Sequence, residues 1–91
     1  MEFLAMYDIA DHKRLRKIER IMRSYGVRVQ KSVFECVLSI TLKDQMLDTL
    51  KKSMDLEQDT FRLYPLLNDC RAKQVIVGTG EFIPFKQMYL I

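Results

Sequence analysis

Few residue types in this chain can do chemistry, and their spacing removes most of them. The 91 residues hold one histidine, His12, and two cysteines, Cys36 and Cys70. Zinc sites need closely spaced Cys and His ligands, and no such set exists here. No serine or cysteine sits in a histidine signature, so triad chemistry has no support. Gly78-Thr79-Gly80 lacks the Gly-Lys-Ser/Thr ending of a phosphate loop and reads as a turn. His12, at a helix start, reads as solvated surface. The six methionines read as core filler. Cys36 reads as a core residue and Cys70 as an inert loop residue.

One carboxylate remains. Phe3-Leu4-Ala5-Met6-Tyr7 is apolar, ends in Asp8 and is followed by Ile9. A strand this apolar should be buried on both faces. An ionised carboxylate is costly to bury unless something pairs with it. Asp11, not Asp8, is the better placed cap for the next helix. Two readings stay open. Asp8 can bond nearby backbone N–H groups and shape the Ile9-Ala10 turn. Alternatively it can hold a hard cation, since magnesium is commonly bound by one or two carboxylates plus waters and phosphate oxygens. One chain offers only one obvious carboxylate, but a two-fold dimer could bring two copies of Asp8 to one axis. A metal there would activate water and neutralise phosphate in hydrolysis. Without it the carboxylates would repel each other.

The charge around this residue is uneven. Residues 10 to 31 carry eight basic residues (Lys13, Arg14, Arg16, Lys17, Arg20, Arg23, Arg28 and Lys31) against Asp11 and Glu19. Residues 32 to 91 carry seven basic and eight acidic residues. The net charge of +3 is therefore concentrated early. Such asymmetry suits a polyanionic partner, although a solvated helix face has the same composition.

The elements that must position these groups follow from periodicity. A strand is predicted over Phe3 to Asp8. Asp11 caps a helix from about His12 to Tyr25, with Leu15, Ile18, Ile21, Met22 and Tyr25 on its apolar face. Gly26 is expected to end it in a left-handed conformation. Alternation runs on Val27 and Val29, then on Phe34, Cys36, Leu38 and Ile40. The phase change near Lys31 and Ser32 requires a bulge or a two-residue turn, and a short edge strand followed by a longer central one is expected. Thr41 and Asp44 resemble a capping box for a second helix over about Leu42 to Met54. Its stripe is Leu42, Met46, Leu47, Leu50 and Met54. Asp59 to Leu66 reads as a strand, Asn68 to Lys73 as a polar turn, Gln74 to Val77 as a short strand, and Gln87 to Ile91 as a last strand. The order predicts a ferredoxin-like α+β domain over residues 1–91, an antiparallel sheet with two helices on one face plus a C-terminal strand. Its core is thin enough that dimerisation would add useful buried area. Apolar runs stop at about five residues, against about 20 for a membrane span. The first residues do not form a secretory signal. A cytoplasmic protein with free thiols is expected.

Taken in order, Tyr7-Asp8-Ile9, the basic first helix and Gly26-Val27-Arg28-Val29-Gln30-Lys31-Ser32-Val33-Phe34-Glu35 resemble the small CRISPR-associated endoribonuclease family. This is the smaller of the two widespread spacer-acquisition proteins. Arg62-Leu63-Tyr64-Pro65-Leu66 and the short C-terminal strand also fit, so the likeness covers essentially the whole chain. The resemblance implies a ferredoxin-like homodimer in which the C-terminal strand, here about 87–91, extends the partner's sheet. It implies that Asp8 is a catalytic, Mg2+-binding (or other divalent-cation) residue at the dimer axis. It implies hydrolysis of single-stranded RNA or duplex DNA, and an adaptor role beside the CRISPR integrase partner. It makes Arg14, Arg16, Lys17 and Arg20, with Arg28 and Lys31 near the hairpin, the expected phosphate contacts. Tyr7, Ser32 and Phe34 are supporting positions, although Ser32 can simply make the turn and Phe34 simply pack.

Three functions compete. A metal-dependent nuclease requires Asp8. A non-catalytic DNA-binding adaptor requires the basic residues and steep salt dependence, with Asp8 dispensable. An unrelated RNA-binding or ligand-binding domain ranks last, because the aromatic pattern of an RNA-recognition motif is missing.

Overall fold

Alternation and caps produce an ordered series of elements. The computed structural model describes residues 1–66 and 75–78. Its elements are β1 (Glu2–Asp8), α1 (His12–Tyr25), β2 (Gly26–Gln30), β3 (Val33–Val37), α2 (Ile40–Ser53), β4 (Thr60–Pro65) and β5 (Val75–Gly78). The strands form one antiparallel sheet in the order β2-β3-β1-β4-β5. With both helices on one face, this is the expected ferredoxin-like α+β fold. The expected turn at 68–73, Cys70 and the strand at 87–91 lie outside the described residues. Among those described, no helix is long and apolar enough to cross a membrane.

The period of two divides β1 between the two sides of the sheet. Phe3, Ala5 and Tyr7 enter the core against the helices, with Phe34, Cys36, Phe61 and Leu63 from the neighbouring strands. Ile18 and Met22 of α1 and Met46, Leu47 and Leu50 of α2 close that core. Fully burying a side chain such as Phe34 or Phe61 contributes about 1.5–3 kcal/mol. Leu4 belongs to the other face, where it is buried with Tyr64 beside Met6, Val33 and Leu66.

Several local expectations change. Gly26 is extended at φ −161°, not left-handed, and is the first residue of β2. Glycine is needed there for close approach, because a Cβ would meet the Glu35 carbonyl oxygen at 2.5 Å and Cys36 Sγ at 2.6 Å. The phase change uses both proposed devices. Lys31 and Ser32 form the turn, and the β2–β3 register shifts between Arg28 and Gln30. β2 is the edge strand, but β3 is no longer than β2. Helix α2 is capped by Ser39, whose hydroxyl accepts the Leu42 N–H at 3.1 Å, and not by Thr41. Starting the helix earlier leaves Ile40 and Leu42 exposed, while Met46, Leu47, Leu50 and Met54 are buried as expected.

Candidate functional site

β1 and β2 end, and β3 and β4 begin, at one end of the sheet. Asp8 closes β1 there and pairs across the ladder with Thr60, which pairs in turn with Gly78. Strand alternation places Asp8 with Leu4 and Met6 on the face away from the helices. Its side chain is exposed, and no described side chain bonds or pairs with it.

The turn after Asp8 is held by a different acid. Asp59 is fully buried. Its Oδ1 accepts the Ala10 N–H at 2.9 Å and Arg14 Nη2 at 3.1 Å. Its Oδ2 accepts Arg14 Nε at 2.8 Å and the Asp55 N–H at 2.8 Å. Burial alone would raise the pKa of Asp59. The Arg14 guanidinium and the two backbone donors override it and hold the carboxyl below its ordinary range. Asp11 caps α1 by accepting the Arg14 N–H at 2.9 Å, which also lowers its pKa. Gly78 closes over this hub with φ +95°, and a Cβ on it would collide with the Asp59 carbonyl oxygen. The structural task considered for Asp8 at the Ile9-Ala10 turn is therefore performed by Asp59.

The supporting positions come together beside Asp8. The Tyr7 N–H donates to the Ser32 carbonyl at 3.1 Å. The Tyr7 and Phe34 rings stack with centroids 6.2 Å apart. Burial, reinforced by Glu19 and opposed by Arg28 and Arg23, pushes the Tyr7 phenol up to about 12. It stays neutral near pH 7 and is no general base. Its hydroxyl is buried without a hydrogen-bond partner among the described residues. Removing it discards an unsatisfied group, so Tyr7→Phe should leave unfolding free energy unchanged or raise it by up to about 1 kcal/mol. Urea unfolding at pH 7 checks this, and a clear loss of stability would reveal a partner for the hydroxyl.

The basic residues fall into different situations. Arg14 is committed to Asp59 and is only partly exposed. Arg28 lies 3.4 Å from Glu19 and also donates to the Lys31 carbonyl at 3.4 Å. Lys31, Arg16, Lys17 and Arg20 are exposed. Arg16, Glu19, Arg20 and Arg23 line a shallow depression of about 230 Å³ on α1. Spacings of four and three put the three arginines on one stripe, away from the buried Ile18 and Met22. Arg23 was not among the expected contacts, although its spacing was readable. The stripe belongs to the helix layer, whereas strand alternation places Asp8 on the other face of the sheet. They do not form one compact site, and the stripe suits positioning a nucleic-acid backbone.

Among the described residues, no group of three or more His, Cys, Asp or Glu side chains could hold a metal. Asp8 is nonetheless a hard oxygen donor with no competing partner among the described residues. It fits a magnesium ion that keeps several waters and takes its remaining ligands from a second copy or from phosphate.

Residues 1–74 match the family model for CRISPR associated protein Cas2. The chain is 32% identical to the CRISPR-associated endonuclease Cas2 2 of Thermus thermophilus, over 98% of this chain and 94% of that one. It is 38% identical to the CRISPR-associated endoribonuclease Cas2 1 of Chloroflexus aurantiacus, over 88% and 87% of the two chains. Its fold is similar to the crystal structure of Streptococcus pyogenes Cas2 at pH 6.5, with a TM-score of 0.70 and 32% identity over 78% of this chain and 92% of that one.

Proposed function

This chain belongs to the CRISPR associated protein Cas2 family, and from that premise we propose that it is a homodimeric, magnesium-dependent endonuclease of the cytoplasm. Its substrate is single-stranded RNA or duplex DNA, and it acts in spacer acquisition beside an integrase partner. One observation carries the nuclease reading. Asp8 is exposed and without a partner among the described residues at the end of an apolar strand, while Asp59 holds the adjacent turn.

The sheet face that carries Asp8 supports the dimer. Neither helix covers it, and Val27 and Val37, placed on it by their pairing, are 72% and 76% exposed. Burying these valines with Met6 against a second copy would bring two Asp8 carboxylates toward one axis. The strand at about 87–91 would extend the partner's sheet.

In the working site Asp8 would hold the cation. When bound, that cation supplies an activated water and neutralises charge on the phosphate. Lys31 and Arg28, at the same end of the sheet, would hold flanking phosphates. Arg16, Lys17 and Arg20 would track the backbone, with Arg23 extending the stripe. Arg14 would shape the site through Asp59.

The separation of the stripe from Asp8 favours a second reading, a non-catalytic adaptor for duplex DNA. Comparing cleavage of labelled RNA and duplex DNA by wild type and Asp8→Asn separates the two readings. Both predict electrostatic binding. If three exposed basic residues per copy neutralise about six phosphates in a dimer, the slope of log affinity against log salt is about −5. Affinity should then fall about 10³-fold between 50 and 200 mM salt. Arg20→Ala, altering both copies, should flatten the slope by about 2, read by fluorescence anisotropy across a salt series.

A further inference from the structure

We propose that Asp59 is the positioning residue for Asp8, fixing the strand-end backbone so that the Asp8 carboxylate is presented to its cation in one orientation. The inference rests on the assignment of a cation to Asp8 and deepens it.

Among the described residues no hydrogen bond or ion pair holds the Asp8 side chain, so its placement depends on the backbone around it. On the N-terminal side, the Tyr7 N–H is held by the Ser32 carbonyl. Across the ladder stands Thr60. On the C-terminal side the first fixed group is the Ala10 N–H, held by Asp59 Oδ1 at 2.9 Å. The first turn of α1 is tied to the same carboxylate through both Arg14 contacts, and the loop before β4 is tied through the Asp55 N–H. Four donor contacts from three chain segments converge on two oxygens.

That convergence explains why the residue is an aspartate. An asparagine offers one carbonyl oxygen and would turn its NH2 donor toward groups that are themselves donors. Asp59 itself is fully buried, with both oxygens engaged by these donors, so it does not reach the surface where substrate would lie. Its action on Asp8 is therefore indirect, through Ala10 and the start of α1. Groups that orient a metal-binding side chain commonly control metal affinity by about 10- to 100-fold.

The test uses NMR on the full chain, wild type and Asp59→Asn, with Mn2+ as the probe. Two quantities are read: hydrogen exchange at the Ala10 amide, and the Mn2+ concentration that half-broadens the amides around Asp8. Asp59→Asn should speed Ala10 exchange while amides in the centre of β1 stay protected. It should also raise the half-broadening concentration about tenfold. A role confined to stability would lower the folded fraction without moving that concentration in the folded molecules. An unchanged midpoint, or unchanged Ala10 exchange, would overturn the positioning role alone. Absence of broadening near Asp8 in the wild type would overturn the cation assignment, and this inference with it. If Asp59→Asn does not fold, Arg14→Gln decides. It keeps the Ala10 and Asp55 donors on Asp59 but removes the guanidinium. A raised midpoint supports the inference, and an unchanged one overturns it.

Discussion

Asp8→Asn should abolish magnesium-dependent cleavage, lowering the rate by about 10³-fold, while the protein stays folded and dimeric. The size follows from the several kcal/mol that a metal ion contributes to a charged transition state, at about 1.4 kcal/mol per tenfold in rate. An amide oxygen is neutral and holds a hard cation much more weakly than an anionic carboxylate oxygen. Stability should hardly change, by less than about 0.5 kcal/mol, because Asp8 is exposed and bonds to no described side chain. Without metal, the variant dimer should be at least as tight as the wild type, since two carboxylates no longer repel at the axis. Initial rates on labelled RNA and duplex DNA, with sedimentation of both proteins, check all three outcomes.

Asp59→Ala should have the opposite profile, with a large loss of stability. Truncation leaves the buried N–H groups of Ala10 and Asp55 without their acceptor. Each such loss costs about 1–3 kcal/mol, so an overall loss of about 3–5 kcal/mol is expected. Total stability for a domain of this size is about 5–14 kcal/mol, so the variant should be marginal. Urea unfolding at pH 7 measures the loss. The acid limb should change too. In the wild type Asp59 has a folded pKa below its unfolded value near 3.8. Its contribution is therefore present above about pH 4 and lost as pH falls through the lower, folded value. Asp59→Ala should flatten stability against pH in that acidic window. An unchanged acid limb would contradict the ion-pair account of this residue.

These two aspartates show what the sequence could and could not reveal. Asp8 is legible because it ends a continuous apolar run with a carboxylate. Its exposure follows from its place at the strand end on the sheet face away from the helices, which periodicity alone leaves open. Asp59 reads as the ordinary first residue of a strand, which in the structure begins one residue later at Thr60. Its donors at Ala10 and Arg14 are 49 and 45 positions away, a contact that no local pattern encodes. For the same reason Arg14 is equivalent to Arg16 and Arg20 in the charge pattern, although among the described residues only Arg14 of these three pairs with a buried partner. Periodicity was sufficient for the strand and helix order. The Asp11 cap was legible too, but the α2 cap and Gly26 were not, because one hydroxyl or one missing Cβ decides there. Ser39 caps α2 two residues earlier than the Thr41 pattern suggested. Gly26 is dictated by the neighbouring strand β3, not by the helix it follows.

The most direct test of the central claim is the cleavage rate as a function of Mg2+ concentration, for wild type and Asp8→Asn at matched dimer content, on single-stranded RNA and on duplex DNA. The account predicts saturable Mg2+-dependent cleavage of at least one substrate by the wild type, and none above background by Asp8→Asn. Equal cleavage by both proteins, or salt-sensitive DNA binding with no cleavage by either, would contradict it.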